Sequence, residues 1–191
     1  STERKYDLAG NPTWQQYPSG RTVDWVYDNA GRLNTFKGTL GGTFKDYVLG
    51  TIYNAAGGRT REQFGTSTNI YHHLSYTSRG HLFDVRVGTG AVNDGSNPSW
   101  NRGALRIYYS SNWAYGNGGA DNNGNVYRLD HFIPLDVNVS QWTMSSDYYG
   151  YDAFNRISSV AEDKSSAGQG EQPVFRQDYA YDLWGNRTIG F

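Results

Sequence analysis

A short motif recurs along the chain: Tyr-Asp, two variable residues, Gly, Arg, then an aliphatic residue. It is complete at Tyr27-Asp28-Asn29-Ala30-Gly31-Arg32-Leu33. Aligned on Tyr with Gly four positions later, copies begin at Tyr6, Tyr27, Tyr53, Tyr76, Ala120, Tyr151 and Tyr181, with starts 21, 26, 23, 44, 31 and 30 residues apart. Self-similarity of this kind governs the reading of everything else, and the uneven spacing sets it apart from a strict solenoid. The motif positions are Tyr6, Asp7 and Gly10; Tyr27, Asp28, Gly31 and Arg32; Tyr53 and Gly57; Tyr76 and Gly80; Asp121 and Gly124; Tyr151, Asp152, Asn155 and Arg156; Tyr181, Asp182 and Gly185.

Each copy reads as the turn of a β-hairpin. Asp suits the first position of a type I turn, where its carboxylate accepts nearby backbone N–H groups, and Gly tolerates the positive φ that follows. Such a turn followed by a left-handed residue is a common bulged hairpin connection. Asn155 stands where Gly is expected, and Asn is among the non-glycine residues enriched in that conformation. Gly57-Gly58 suggests a loop one residue longer in the third copy. Before the turns, Trp25 with Tyr27, Tyr149 with Tyr151, and Tyr179 with Tyr181 share faces at the strand period of two. Leu33, Ile157 and Thr188 open the return strands. No long stretch keeps a helical apolar period. The expected fold is all-β: an antiparallel meander of seven hairpin units forming a twisted or spiralling sheet strip, with aromatic residues stacked across neighbouring strands. Composition agrees, with 24 Gly, 16 Tyr and 6 Trp against a charged fraction of 18%, where about 25% is typical. A single domain, residues 1–191, is expected, with an insertion at about 83–119 where the copies lie furthest apart.

These residues resemble the YD repeat of the bacterial Rhs and wall-associated proteins, related to the teneurin shells. The signature is met in full from Tyr27 to Leu33 and closely at Tyr151, Asp152, Arg156 and Ile157, and the likeness runs from about residue 6 to 188, thinning across 83–119. The resemblance implies a long β-strip that spirals into a hollow shell in larger relatives, non-catalytic repeats, and a secreted or cell-surface setting. This chain is far shorter than those shells and lacks the Asp-Pro-x-Gly type region that ends many of them. Three readings stay open: a shell fragment, a small stand-alone sheet, or a subunit that self-associates through edge strands or neighbouring repeats, since an open meander leaves two unpaired edges.

Other classes find little support. A net charge of -1 gives no reason to expect nucleic acid. Without cysteine there is no disulfide, thiolate metal site or Cys nucleophile. No apolar run approaches the roughly 20 residues that span a bilayer as a helix, and the first ten residues show no apolar signal core. His72, His73, His81 and His131 lack a metal-binding spacing, no HExxH or GxSxG occurs, and no carboxylate pair stands out. No enzyme, cofactor or metal site is therefore expected. Asp121 to Asn125 resembles part of a calcium loop without the closing Glu. Asn138-Val-Ser140 and Asn186-Arg-Thr188 match the glycosylation acceptor pattern. Glu162 to Pro173 reads as a polar surface loop.

The aromatic stretch 93–115 supports a rival function. Asn93, Asp94, Asn97, Asn101 and Asn112 mix with flat rings there, and Trp100, Tyr108, Trp113 and Tyr115 are candidate glycan contacts. A ring face packs on a pyranose while short polar groups fix its hydroxyls. The same stretch also reads as one more strand, Leu105 to Tyr109, with tryptophans covering it.

Overall fold

The computed structural model describes residues 2–65, 69–91, 100–116 and 123–190. Fourteen strands are hydrogen-bonded in chain order, each described pairing is antiparallel, and no helix occurs among the described residues. The expected antiparallel meander is what the chain forms. It divides into two compact units, Ser1–His73 with Gly88–Ser99, and Leu74–Val87 with Trp100–Phe191.

The first unit holds β1 (Glu3–Tyr6), β2 (Pro12–Gln16), β3 (Thr22–Tyr27), β4 (Leu33–Leu40), β5 (Thr43–Tyr53), β6 (Arg59–Phe64) and the start of β7 (Ile70–Tyr76). The turns at Asp7, Asp28 and Asn54 each follow an odd-numbered strand, so antiparallel pairing puts all three at one end of the strands. Each hairpin resumes pairing with a bulge beside its Tyr, as where Val26 pairs Thr35 but Tyr27 pairs Leu33. The same shift occurs at Tyr6 and Tyr53. Bulges strengthen the local twist. On one face Trp25, Phe36 and Tyr47 form a cross-strand ring stack, with centroids 5.7 and 5.2 Å apart.

The second unit holds the rest of β7, β8 (Leu82–Gly88) except Gly88, β9 (Gly103–Tyr108), β10 (Arg128–Pro134), β11 (Trp142–Tyr151), β12 (Ile157–Ser166), β13 (Gln169–Tyr181) and β14 (Arg187–Gly190). One correction to the sequence reading arises here. Residues 162–173 are not a loop: they are the two arms of the β12–β13 hairpin, turning at Ala167-Gly168, where Gly168 has φ of 81°. Polar residues pair well in a sheet whose faces meet water, and Lys164 reaches Glu162 two positions away on the same face at 3.8 Å. The aromatic stretch holds the further strand that the sequence also allowed at Leu105 to Tyr109. It contains β9, flanked by connections at opposite ends of that strand.

A second correction concerns Gly57-Gly58. The Asn54 N–H meets the Gly58 carbonyl at 2.8 Å, the same spacing that joins Asp28 to Arg32, so this loop is no longer than the others.

Little is buried. Val23 in the first unit, and Leu74 and Met144 in the second, are the buried apolar side chains among the described residues, while Asp84, Ser110, Asp130 and Ser146 are almost fully enclosed. Stability therefore rests on the hydrogen-bonded ladder, ring stacking and satisfied polar groups more than on an oily core.

Candidate functional site

The repeat motif is a joint between successive hairpins. In the turn at Asp28, one carboxylate oxygen accepts the N–H groups of Ala30 and Arg32, each at 2.9 Å, and the other accepts Arg32 Nε at 2.9 Å. Asp152 does the same for Phe154 and Arg156. Asp7 and Asp182 bind an Asn side chain in place of Arg. The Asp28 carboxyl is held below its ordinary range, first by the Arg32 backbone N–H and then by its side chain. Gly31, with φ of 74°, lets the chain turn back, and Asn155 adopts φ of 59° in the equivalent place.

The anchored arginine then leaves its own hairpin. Arg32 lies over the ring of Tyr53, the Tyr of the next copy, at 4.5 Å, and Arg156 lies over Tyr181 at 4.1 Å. The Tyr hydroxyl points back. Tyr27 donates to the Pro12 carbonyl at 2.9 Å, Tyr53 to Leu33 at 2.7 Å, Tyr151 to Val126 at 2.7 Å and Tyr181 to Ile157 at 2.8 Å. Each acceptor sits six positions after the first residue of the preceding copy. Within the signature, then, Asp closes the turn, Gly bends it, Arg reaches forward and Tyr ties back.

That rule exposes a copy the sequence reading missed. Tyr109 donates to the Leu82 carbonyl at 2.9 Å, six positions after Tyr76. Trp113 N–H meets the Ser110 carbonyl, and Trp113 takes the Gly position with φ of 56°. Ser and Trp thus stand in place of Asp and Gly. A further turn of the same backbone pattern, Tyr17 to Arg21, closes the opposite end of its strands, with Gly20 at φ of 79°. For the copy beginning at Ala120, Asp121 lies outside the described residues. Gly124 has φ of 93°, and Asn123 and Asn125 both donate to the Asn155 side chain, at 3.2 and 3.0 Å.

Two buried polar clusters stiffen the second unit. Asp84 takes Arg86 Nε at 2.8 Å and the Tyr115 hydroxyl, with Arg106 Nε 3.6 Å away. Asp130 takes Arg128 Nε at 2.6 Å and the Ser146 hydroxyl at 2.8 Å. Arg128 also reaches Glu171 at 2.8 Å and lies over the rings of Tyr108, Trp113 and Tyr148. Burial, then the neighbouring Asp130 carboxylate, pushes the Tyr108 phenol up to about 12. Burial and the bond to Glu171 push Tyr148 to about 12. Both central carboxylates are consumed by donors.

This geometry separates the candidate glycan contacts. Trp100 lies edge-on to Phe132 at the start of β9. Trp113 packs on Tyr148, and Tyr115 on Phe83 and Tyr108, at the other end of that strand. Trp113 and Tyr115 stay nearly half exposed. Asn93, Asp94 and Asn97 lie outside the described residues. Among the described residues no group of three His, Asp or Glu is placed to hold a metal ion, and no helix is long and apolar enough to cross a membrane.

No family model matches the chain, and no curated protein matches it. Solved structures do. "Crystal Structure of TcdB2-TccC3-Cdc42" matches at 17% identity with a TM-score of 0.54, over 98% of this chain and 10% of that one. "Crystal Structure of TcdB2-TccC3-TEV" matches at 18% and 0.55, and "Structure of Photorhabdus luminescens Tc holotoxin pore, Mutation TccC3-D651A" at 17% and 0.55, with the same coverage. The fold is YD-shell-like. The chain spans about a tenth of the length of these neighbours.

Proposed function

We propose that the chain is a non-enzymatic structural element of the cell exterior, a segment of a continuous YD-repeat wall. The observation that carries this reading is the joint between copies, because each hairpin is completed by the next. Among the described residues the Tyr6 hydroxyl has no partner, and Tyr6 is 56% exposed. At the last turn, Arg187 stands at the acceptor position, six residues after Tyr181. A wall built of such segments joins them head to tail, with Tyr6 of one on the carbonyl of Arg187 in another. Every residue of β1 and of β14 is exposed, and each strand is only four residues long. Glu3, Arg4 and Lys5 make β1 a charged edge, which disfavours indiscriminate pairing. A matched repeat is therefore its favoured partner over any passing strand. The solved neighbours, parts of a toxin complex, support a structural role outside the cell.

Sedimentation velocity and negative-stain microscopy over a concentration series test this. The expected result is head-to-tail oligomers that grow with concentration, weakened about fivefold by Tyr6→Phe, the cost of one net hydrogen bond. A single monomeric species at every concentration, or a catalytic turnover of glycan or peptide substrates by the purified chain, contradicts it.

A further inference from the structure

The face of the first unit that carries Val23 is cationic and aromatic. Pairing register fixes its members: Arg4 sits opposite Gln15, which sits opposite Val23, which sits opposite Gly38, which sits opposite Lys45. Arg21 lies two residues before Val23 and shares its face. The acidic residues of these strands, Glu3, Asp24 and Asp46, fall on the other face by the same alternation. Among the described residues neither Arg21 nor Lys45 pairs with a carboxylate.

Gly38 gives this face its relief. A Cβ there would lie 2.8 Å from Tyr47 Cε2, so the absent side chain is what lets the Tyr47 ring lie across the strand. The Tyr47 hydroxyl accepts from Arg21 Nη2, and Lys45 Nζ stands 5.8 Å from the same ring. Two concavities adjoin at Arg21. One, of about 600 Å³, is lined by Tyr17, Pro18, Ser19, Arg21, Val23 and Phe36. The other, of about 330 Å³, is lined by Arg21, Gly38, Leu40, Lys45 and Tyr47 among others. Both fall in the range of small-ligand sites.

We propose that this face binds an anionic saccharide, a sugar ring carrying carboxylate or sulfate. The Arg21 fork keeps donors beyond the one given to Tyr47, and a planar guanidinium grips such oxyanions in bidentate fashion. Lys45 adds a second positive charge across the cavity. The exposed ring of Tyr17 and the edge of Phe36 offer an apolar platform for the sugar. This inference concerns one face of the sheet and does not depend on how its edges pair.

The test is NMR titration and calorimetry of the whole chain with oligogalacturonate and, separately, a sulfated carrageenan disaccharide, which carries no carboxylate. Cello-oligosaccharide, polyglutamate, AMP and inorganic sulfate serve as comparison probes. At least one anionic saccharide should bind, with shifts centred on Tyr17, Arg21 and Tyr47. Arg21→Gln should weaken it at least about tenfold, and Lys45→Gln about threefold. Lys45→Gln touches an exposed side chain with no ion pair, so it tests the charge even if Arg21→Gln disturbs the fold. Arg187→Gln, in the other unit, should change nothing. The two saccharide arms tell carboxylate from sulfate. The proposal is overturned if neither anionic saccharide binds, if the neutral sugar or sulfate alone binds as well, if polyglutamate or AMP binds more tightly, or if both charge variants leave affinity intact.

Discussion

Replacing Tyr53 by Phe deletes one oxygen and leaves the rest of a repeat joint in place. The hydroxyl donates to the Leu33 carbonyl at 2.7 Å, and the ring, which Phe retains, carries Arg32 at 4.5 Å. The loss is thus one neutral hydrogen bond across two hairpins, with a net value of about 1 kcal/mol. With a urea m-value of about 2 kcal/mol/M for a chain of this class, the midpoint falls by about 0.5 M. Tyr53→Leu removes the cation–ring contact as well, worth about 0.5–1 kcal/mol more at a partly exposed site. Tyr6 supplies the control. It holds the same motif position, but its hydroxyl has no partner among the described residues, so Tyr6→Phe in the monomer should cost nothing measurable. Urea unfolding followed by Trp fluorescence, at a protein concentration below any association, reads all three. A Tyr53→Phe midpoint equal to wild type, or a Tyr6→Phe loss as large as that of Tyr53→Phe, refutes the assignment of Tyr as the tie between copies.

The remaining predictions concern space and protons. Gly38→Val should destabilise by about 1–3 kcal/mol, because its Cβ would meet Tyr47 at 2.8 Å and the Thr22 carbonyl at 3.2 Å; Gly50→Ala, with nothing within 4 Å, should be tolerated in the same thermal melt. The carboxyls of Asp7, Asp28 and Asp182 are held below 3.8, led respectively by the Asn11 side chain, the Arg32 backbone and the Asn186 side chain. A lowered folded pKa gives stability that is full above 3.8 and is lost as pH falls through the folded value, so Asp28→Asn should flatten the acid limb of a stability–pH curve. Tyr108 and Tyr148 run the other way: both are raised from 10.0 to about 12, so their contribution is full below pH 10 and is lost as pH rises through 12. Spectrophotometric titration of the phenolates should place Tyr108 and Tyr148 among the last tyrosines to ionise, and Tyr108→Phe with Tyr148→Phe should shrink that late component.

What the chain shows without its structure is local. Asp and Gly act within five residues, so the turns at Asp28, Asp152 and Asp182 are legible, including Asn155 in the place of Gly. The reach of Arg32 to Tyr53 and of Tyr53 to Leu33 spans some twenty residues and follows only from strand register. The copy at Tyr109 is hidden because Ser110 and Trp113 replace the two residues that mark a turn; a Tyr followed four residues later by any left-handed position is the remaining signal. The hairpin of residues 162–173 escapes notice because apolar alternation marks a strand only where apolar side chains cover one face, and here the residues are polar: the β13 arm is exposed, and the β12 arm is half-buried with Ser165 enclosed. The separation of Trp100 from Trp113 is hidden for a simpler reason: β9 stands between them, and six residues of strand span about 20 Å. The cationic face is equally invisible, since Arg21 and Lys45 meet only through the pairing of β3, β4 and β5.

Amide hydrogen exchange, resolved by residue and repeated at low and high protein concentration, tests the wall reading most directly. The account predicts that the outward-pointing amides of β1 and β14 exchange freely when dilute and gain protection together as concentration rises, while β6 stays unchanged. Edge amides that exchange at one rate at every concentration, or protection that gathers on a sheet face and leaves both edges open, would contradict it.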